Sequence, residues 1–155
     1  MRQSLEWLVN QYQRSLFAVV YSLCKNADDA NDIVQETFIQ YLTTDTDFYD
    51  ETHIRAWLIR VAINKTKNLF RSGWNRKVVL KDLDQENVAV ETDGGYVFDK
   101  VMALPDNYRI VIHLFYYEEM SVREISEVLG ITEGNVKMRL SRGRSMLKKL
   151  LEDMP

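Results

Sequence analysis

The sequence predicts an all-α protein of two small helical domains, an N-terminal three-helix bundle and a C-terminal helix-turn-helix unit, joined by a linker. Three observations carry that prediction. Apolar residues recur at the three-and-four spacing of amphipathic helices up to about residue 72, and again from residue 96. Six Gly and two Pro in 155 residues are too few for a collagen-like or loop-dominated chain. Between 73 and 95 the apolar period fades and five acids face three bases. The expected division is therefore 1–72, a linker over 73–95, and 96–155. The length permits two domains of roughly 60 to 75 residues each.

The first helix is expected over 4–24, where Leu5, Leu8, Val9, Tyr12, Leu16, Val19, Val20 and Leu23 build one face and Lys25-Asn26 breaks the pattern. Asp28 is expected to cap a second helix over 29–43, with Ala30, Ile33, Val34, Phe38, Tyr41 and Leu42 inward. The acidic stretch 44–52 reads as a loop. A third helix, from about Thr52 to Arg71, is expected to bury Ile54, Trp57, Leu58, Val61, Ala62 and Leu69. Beyond the linker, Val97, Val101 and Leu104 lead to a stop at Pro105, and Asp106–Glu118 carries Tyr108, Val111, Ile112 and Phe115 on one face.

The most informative stretch follows. Ser121 with Glu124 three residues on fits a capping box, and the helix it opens carries Val122, Ile125, Val128 and Leu129. Gly130 stands where a left-handed residue ends a helix, and Thr132 caps the next. A long helix then runs to about Leu151, with Val136, Leu140, Gly143, Leu147 and Leu150 inward. Helix, short Gly-containing turn and helix is the helix-turn-helix pattern, whose second helix enters the DNA major groove. Between Lys137 and Lys149 that helix holds six bases and no acid. Thr132, Asn135, Lys137, Met138, Arg139, Ser141, Arg142 and Arg144 are the candidate DNA-reading residues, since Arg and Asn suit guanine and adenine edges and the remaining bases suit phosphates.

Composition excludes other classes. A net charge of −3 is not that of a free-standing nucleic-acid binder. The single cysteine, Cys24, allows no internal disulfide, and two histidines, His53 and His113, allow no His-rich metal site. Both Cys24 and His113 read as packing residues. There is no phosphate-cradling loop, nucleophile elbow or metal-ligand spacing, so neither enzyme activity, cofactor nor small-molecule substrate is expected. No apolar run reaches the roughly 18 residues of a membrane span, and Glu6 and Asn10 interrupt any signal-peptide core, so a cytoplasmic protein is expected.

The stretch from Leu104-Pro105 through Ser121, Ile125 and Leu129-Gly130 to Glu133-Gly134-Asn135-Val136-Lys137-Met138-Arg139-Leu140 resembles region 4 of bacterial sigma factors. Asp29–Phe38 (DANDIVQETF) and Arg55-Ala56-Trp57-Leu58 through Ala62-Ile63-Asn64 independently resemble region 2. Together the blocks cover nearly the whole chain in the family's order, with nothing like regions 1.1 or 3, a content similar to extracytoplasmic-function (ECF) sigma factors of the sigma-70 family. The resemblance implies a specificity subunit that binds core RNA polymerase. Region 2 would dock on the beta-prime clamp helices through the second helix, here offering Asp32, Gln35, Glu36 and Gln40. Region 4 would dock on the beta flap while reading the −35 element. The third helix would melt the −10 element with Arg60, Asn64, Lys65, Lys67, Asn68 and Arg71, and the loop Thr44–Thr52 would hold a captured base. Arg60, Asn64, Lys67 and Arg71 recur along one stripe able to track a strand. The family often carries Asp where Asn68 stands. An anti-sigma factor is a further expected partner. A conventional transcription factor with a helical sensor domain is the runner-up, and an adaptor without DNA binding a third reading.

Overall fold

The computed structural model describes residues 1–72 and 95–153, and every regular element among them is helical. The chain divides into two units, Met1–Val90 and Glu91–Pro155. The expected linker lies outside the described residues except for Gly95, where a helix begins. No helix among the described residues is long and apolar enough to cross a membrane.

The first unit holds α1 (Leu5–Cys24), α2 (Ala27–Thr43) and α3 (Glu51–Ser72), each packed on the other two. Ser4 caps α1, its Oγ accepting from the Trp7 N–H at 3.1 Å. Lys25 ends it in the left-handed region at φ 56°, donating its N–H to the Tyr21 carbonyl. The cap of α2 is Asn26 rather than Asp28. Asn26 is extended and buried, and its side-chain oxygen accepts from the Asp29 N–H at 2.9 Å. Asp28 and Asp29 therefore fall in the first turn, where negative charge meets the positive end of the helix. Asp50 opens α3, its carboxylate accepting from the His53 N–H at 2.8 Å.

The core joins Leu8, Leu16, Val19 and Val20 to Ala30, Ile33, Val34, Phe38 and Tyr41, and to Ile54, Leu58, Ile59, Ala62 and Ile63. Burying each large side chain contributes about 1.5–3 kcal/mol. The inward face of α3 differs from expectation. Trp57, Val61 and Leu69 are half-buried, while Ile59, Ile63 and Thr66 are buried. A helix wedged between two others needs a broader apolar face than a single stripe. Leu5 and Leu42, expected inward, are 41% and 55% exposed.

The second unit holds α4 (Gly95–Met102), α5 (Asp106–Ile112), α6 (Val122–Leu129) and α7 (Glu133–Glu152). Val97 is exposed and the neighbouring Phe98 is buried in its place. Arg109, 1% exposed, stitches the α4–α5 turn. Its guanidinium donates to the carbonyls of Leu104 (2.6 Å) and Met102 (3.2 Å) and pairs with Asp106. It thus satisfies carbonyls left open at the end of α4.

The expected single helix to Glu118 is instead α-helical only to Ile112 and π-helical over His113–Tyr117. The wider turn rotates the chain, so His113 and Leu114 are buried while Phe115 is half-buried. Glu119, at φ 55°, then turns the chain toward α6. Gly143 of α7 lets α5 approach closely: a Cβ there would lie 3.0 Å from Ile112 Cγ1 and 3.5 Å from Tyr108 Cβ.

Candidate nucleic-acid interface

The helix-turn-helix follows from its local chemistry. Ser121 Oγ accepts from the Glu124 N–H at 3.1 Å, and Glu124 Oε1 accepts from the Ser121 N–H at 3.0 Å. Gly130 adopts φ 68° and donates its N–H to the Ser126 carbonyl at 2.9 Å. Ser126 also holds Ile131 from both sides, donating its hydroxyl to the Ile131 carbonyl and accepting the Ile131 N–H on its own. Thr132 Oγ1 accepts from the Asn135 N–H at 3.0 Å and opens α7.

Val136, Leu140 and Gly143 point α7 into the core. The opposite side carries Lys137, Met138, Ser141 and Arg142, all exposed, together with Thr132 at its leading end. Asn135 and Arg139 sit on one flank, half-buried, with Arg139 Nε donating to Asn135 Oδ1 at 3.0 Å. Arg144 lies on the other flank, about 120° round from Met138 at 100° per residue. Its Nε donates to the Tyr116 hydroxyl at 2.6 Å, and its guanidinium lies 5.4 and 5.6 Å from the Phe115 and Tyr116 ring centres. Arg144 is thus tied to the π turn. Beside it, Tyr116, Leu147, Lys148, Leu151 and Glu152 line an open apolar groove of about 380 Å³ with Arg144.

His113, in the π turn, is 1% exposed, its ring stacked on Tyr117 at 5.1 Å. Burial lowers its pKa to about 4. The ring is therefore neutral at pH 7, and its 3.9 Å approach to Glu118 is not an ion pair there. Among the described residues, neither ring nitrogen has a hydrogen-bond partner.

In the first unit, Arg60, Asn64, Lys67 and Arg71 are exposed along one stripe of α3. Lys65 and Asn68 are placed differently, in a cleft of about 310 Å³ that they line with Asp29, Asp32, Ile33, Glu36 and Leu69. Asp32, Gln35, Glu36 and Gln40 are exposed on α2. Among them stand Ile39 and Leu42, 59% and 55% exposed. Ile39 was not among the candidates. Its lack of any place in the inward period was the available signal.

The loop between α2 and α3 is anchored from within. Phe48 is 2% exposed and stacks on Tyr41 at 5.4 Å, with Trp57 edge-on at 5.5 Å. Trp57 is thus a packing residue beneath the loop. Arg2 straps the outside, donating to the carbonyls of Tyr41 (2.8 Å) and Thr44, with its guanidinium over the rings of Tyr41 and Phe48.

Two such faces in one chain have a counterpart among known proteins. The Sigma-70 region 2 family matches residues 8–76, and the Sigma-70, region 4 family matches residues 97–147. The chain is 30% identical over 165 residues to the ECF RNA polymerase sigma factor SigW of Bacillus subtilis, covering 95% of this chain and 88% of SigW. The chain belongs to the ECF sigma factors. It is also 29% identical over 156 residues to SigM of the same organism, covering 95% of this chain and 94% of SigM. Among solved structures, the Bartonella quintana sigma factor RpoE, in complex with the anti-sigma factor NepR, has the same fold, with a TM-score of 0.74, 22% identity, and coverage of 97% of this chain and 98% of RpoE. CnrH, in complex with the cytosolic domain of CnrY, gives a TM-score of 0.69 at 27% identity, covering 97% of this chain and 89% of CnrH. This sigma factor is therefore an RNA polymerase subunit of the ECF type.

Proposed function

We propose that this sigma factor binds core polymerase and directs initiation by reading −35 duplex with α7 and melting the −10 element with α3. The observation that carries the reading is the pair of exposed faces without acidic residues, one following a fully capped helix-turn-helix and one along α3. On this division 1–72 serves as region 2, 73–95 as the linker and 96–155 as region 4.

Lys137, Met138, Ser141 and Arg142 enter the major groove, with Thr132 at the leading end and Asn135 and Arg139 beside them. Arg142 and Lys137 neutralise phosphates or pair with base edges, according to their depth in the groove. Arg60, Asn64, Lys67 and Arg71 hold one separated strand against reannealing. Lys65 and Asn68 act from the adjoining cleft. Asp32, Gln35, Glu36 and Gln40, with Ile39 and Leu42 as apolar anchors, meet the clamp helices. The groove beside Tyr116 and Leu147 offers an apolar seat for the flap. Neither basic face neutralises enough phosphates for tight binding alone. Polymerase supplies the rest by holding both units on one promoter at high effective concentration. The protein is a non-catalytic subunit acting in the cytoplasm, and an anti-sigma factor that covers its polymerase-facing surfaces keeps it idle.

The test is a pull-down with core polymerase followed by run-off transcription on a genomic fragment library. Discrete new start sites sharing −35 and −10 sequences are expected. Tight, specific duplex binding without polymerase, and no polymerase binding, would instead establish a conventional regulator.

A further inference from the structure

The α2–α3 loop is gripped by two residues far from it in sequence. Gln3 donates its N–H to the Tyr41 hydroxyl at 2.9 Å. Arg2 donates to the Tyr41 carbonyl at 2.8 Å and to the Thr44 carbonyl. The Arg2 guanidinium lies 5.1 and 5.7 Å from the ring centres of Tyr41 and Phe48. Tyr41 is thus held at its hydroxyl, its carbonyl and its ring. Arg2 and Gln3 precede the Ser4 cap of α1, and both precede the stretch 8–76 that matches the Sigma-70 region 2 family.

The contacts answer needs that the loop cannot meet itself. A helix ends with open carbonyls and a partial negative charge. The last turn of α2 has no basic residue of its own, and Arg2 brings both donors and a cation to it. Beyond that end Asp45, Asp47, Asp50 and Glu51 are all exposed, so the loop repels itself and any approaching phosphate. Arg2 sets a positive charge against the start of this acidic run. The loop is then fixed at two points, with Thr44 clasped by Arg2 from outside and Phe48 sunk in the core at 2% exposure. It leads directly into α3, which carries the cationic stripe. A segment fixed in advance loses less conformational entropy when it meets its ligand.

We propose that Arg2 is a positioning residue for promoter opening, clasping the α2–α3 loop in shape before the separated strand reaches it. This rests on the reading of α3 as the melting helix and adds a residue outside the bundle on which opening depends. The test uses the full chain reconstituted with core polymerase on a promoter mapped by the run-off experiment. Arg2→Ala should be pulled down with polymerase and protect −35 as the wild type does, because Arg2 is exposed and lies outside the bundle core. Its fraction of permanganate-reactive −10 complexes should fall roughly 5- to 10-fold, as expected for losing charge-assisted bonds that solvent partly screens. Amide exchange over 45–50 should quicken in the free protein, while exchange in the cores of α1, α2 and α3 stays as in the wild type. Arg2→Lys keeps a cation with donors for the same carbonyls and should open at least about twofold better than Arg2→Ala. Faster loop exchange with unchanged opening in Arg2→Ala would overturn the proposal by making the clasp purely structural, and would leave the proposed function standing. Equal opening defects in Arg2→Ala and Arg2→Lys, or loss of polymerase binding in Arg2→Ala, would also overturn it. Failure of the wild-type chain to form holoenzyme or open any promoter would overturn both readings.

Discussion

Acid should loosen the second unit through a single residue. Burial lowers the His113 pKa from 6.5 to about 4, so the unfolded chain takes up a proton that the folded chain resists. The stabilisation is fully present above pH 6.5 and is lost as pH falls toward 4. At pH 5 the unfolded imidazole is almost wholly protonated and the folded one about a tenth, which costs about 2 kcal/mol relative to pH 7. Below pH 4 the loss levels off at about 3 kcal/mol. Carboxylates also titrate in this range, so the measurement is a comparison. His113→Gln keeps a neutral polar side chain without the titration. Urea unfolding of both proteins, followed by hydrogen exchange in α7 to report on the second unit, gives the difference at each pH. Whatever the substitution costs at pH 7, it should cost about 2 kcal/mol less at pH 5. Parallel pH profiles for the two proteins would refute the reasoning. They would mean that Glu118, 3.9 Å away, offsets the burial once the ring is charged.

Other perturbations follow from the same geometry. Arg109→Leu leaves the carbonyls of Met102 and Leu104 without their buried donor, and should cost about 3 kcal/mol or more, read as a lower urea midpoint for the second unit. Gly143→Ala forces a methyl to within 3.0 Å of Ile112, and should cost about 1–3 kcal/mol in the same assay. Lys25→Gly relieves a left-handed backbone at φ 56° in the other unit, and should raise its melting temperature through a gain of up to about 1 kcal/mol. Arg142→Ala should reduce the salt slope of holoenzyme binding to −35 duplex by about one, measured by fluorescence anisotropy between 50 and 200 mM salt.

What was legible in the sequence was chemistry that acts within a few residues. Ser121 with Glu124, Gly130 and Thr132 specify the helix-turn-helix by bonds spanning three to five positions, and the structure has each of them. The cap of α2 was misplaced by two residues because Asn26 and Asp28 are both competent caps. The choice fell to Asn26, which the bundle buries. The π turn at His113–Tyr117 has no local mark in HLFYY. It arises where α5 must pack Leu114 inward and then hand the chain to α6. The side of α3 that faces inward depends on its being flanked by α1 and α2 together, which one helix's periodicity does not reveal. Of the interface candidates, the exposed stripe of α3 was readable from spacing. The bond between Arg139 and Asn135, the tie from Arg144 to Tyr116 and the placement of Lys65 and Asn68 in the α2–α3 cleft were not, because rotamer and neighbour decide them. Nothing in the residues beside Arg109 marks it as buried, because its burial depends on the α4–α5 turn that closes over its guanidinium.

The central claim is that two basic faces divide the promoter between them. Permanganate footprinting at the −10 element, combined with DNase protection at −35, tests it on one holoenzyme preparation. A double substitution, Arg60→Ala with Lys67→Ala, should abolish thymine reactivity at −10 while −35 protection persists. Arg142→Ala should weaken −35 protection, and the DNA that still binds should open normally. Normal −10 opening with the α3 pair removed, or loss of both signals together from either change, would contradict the division.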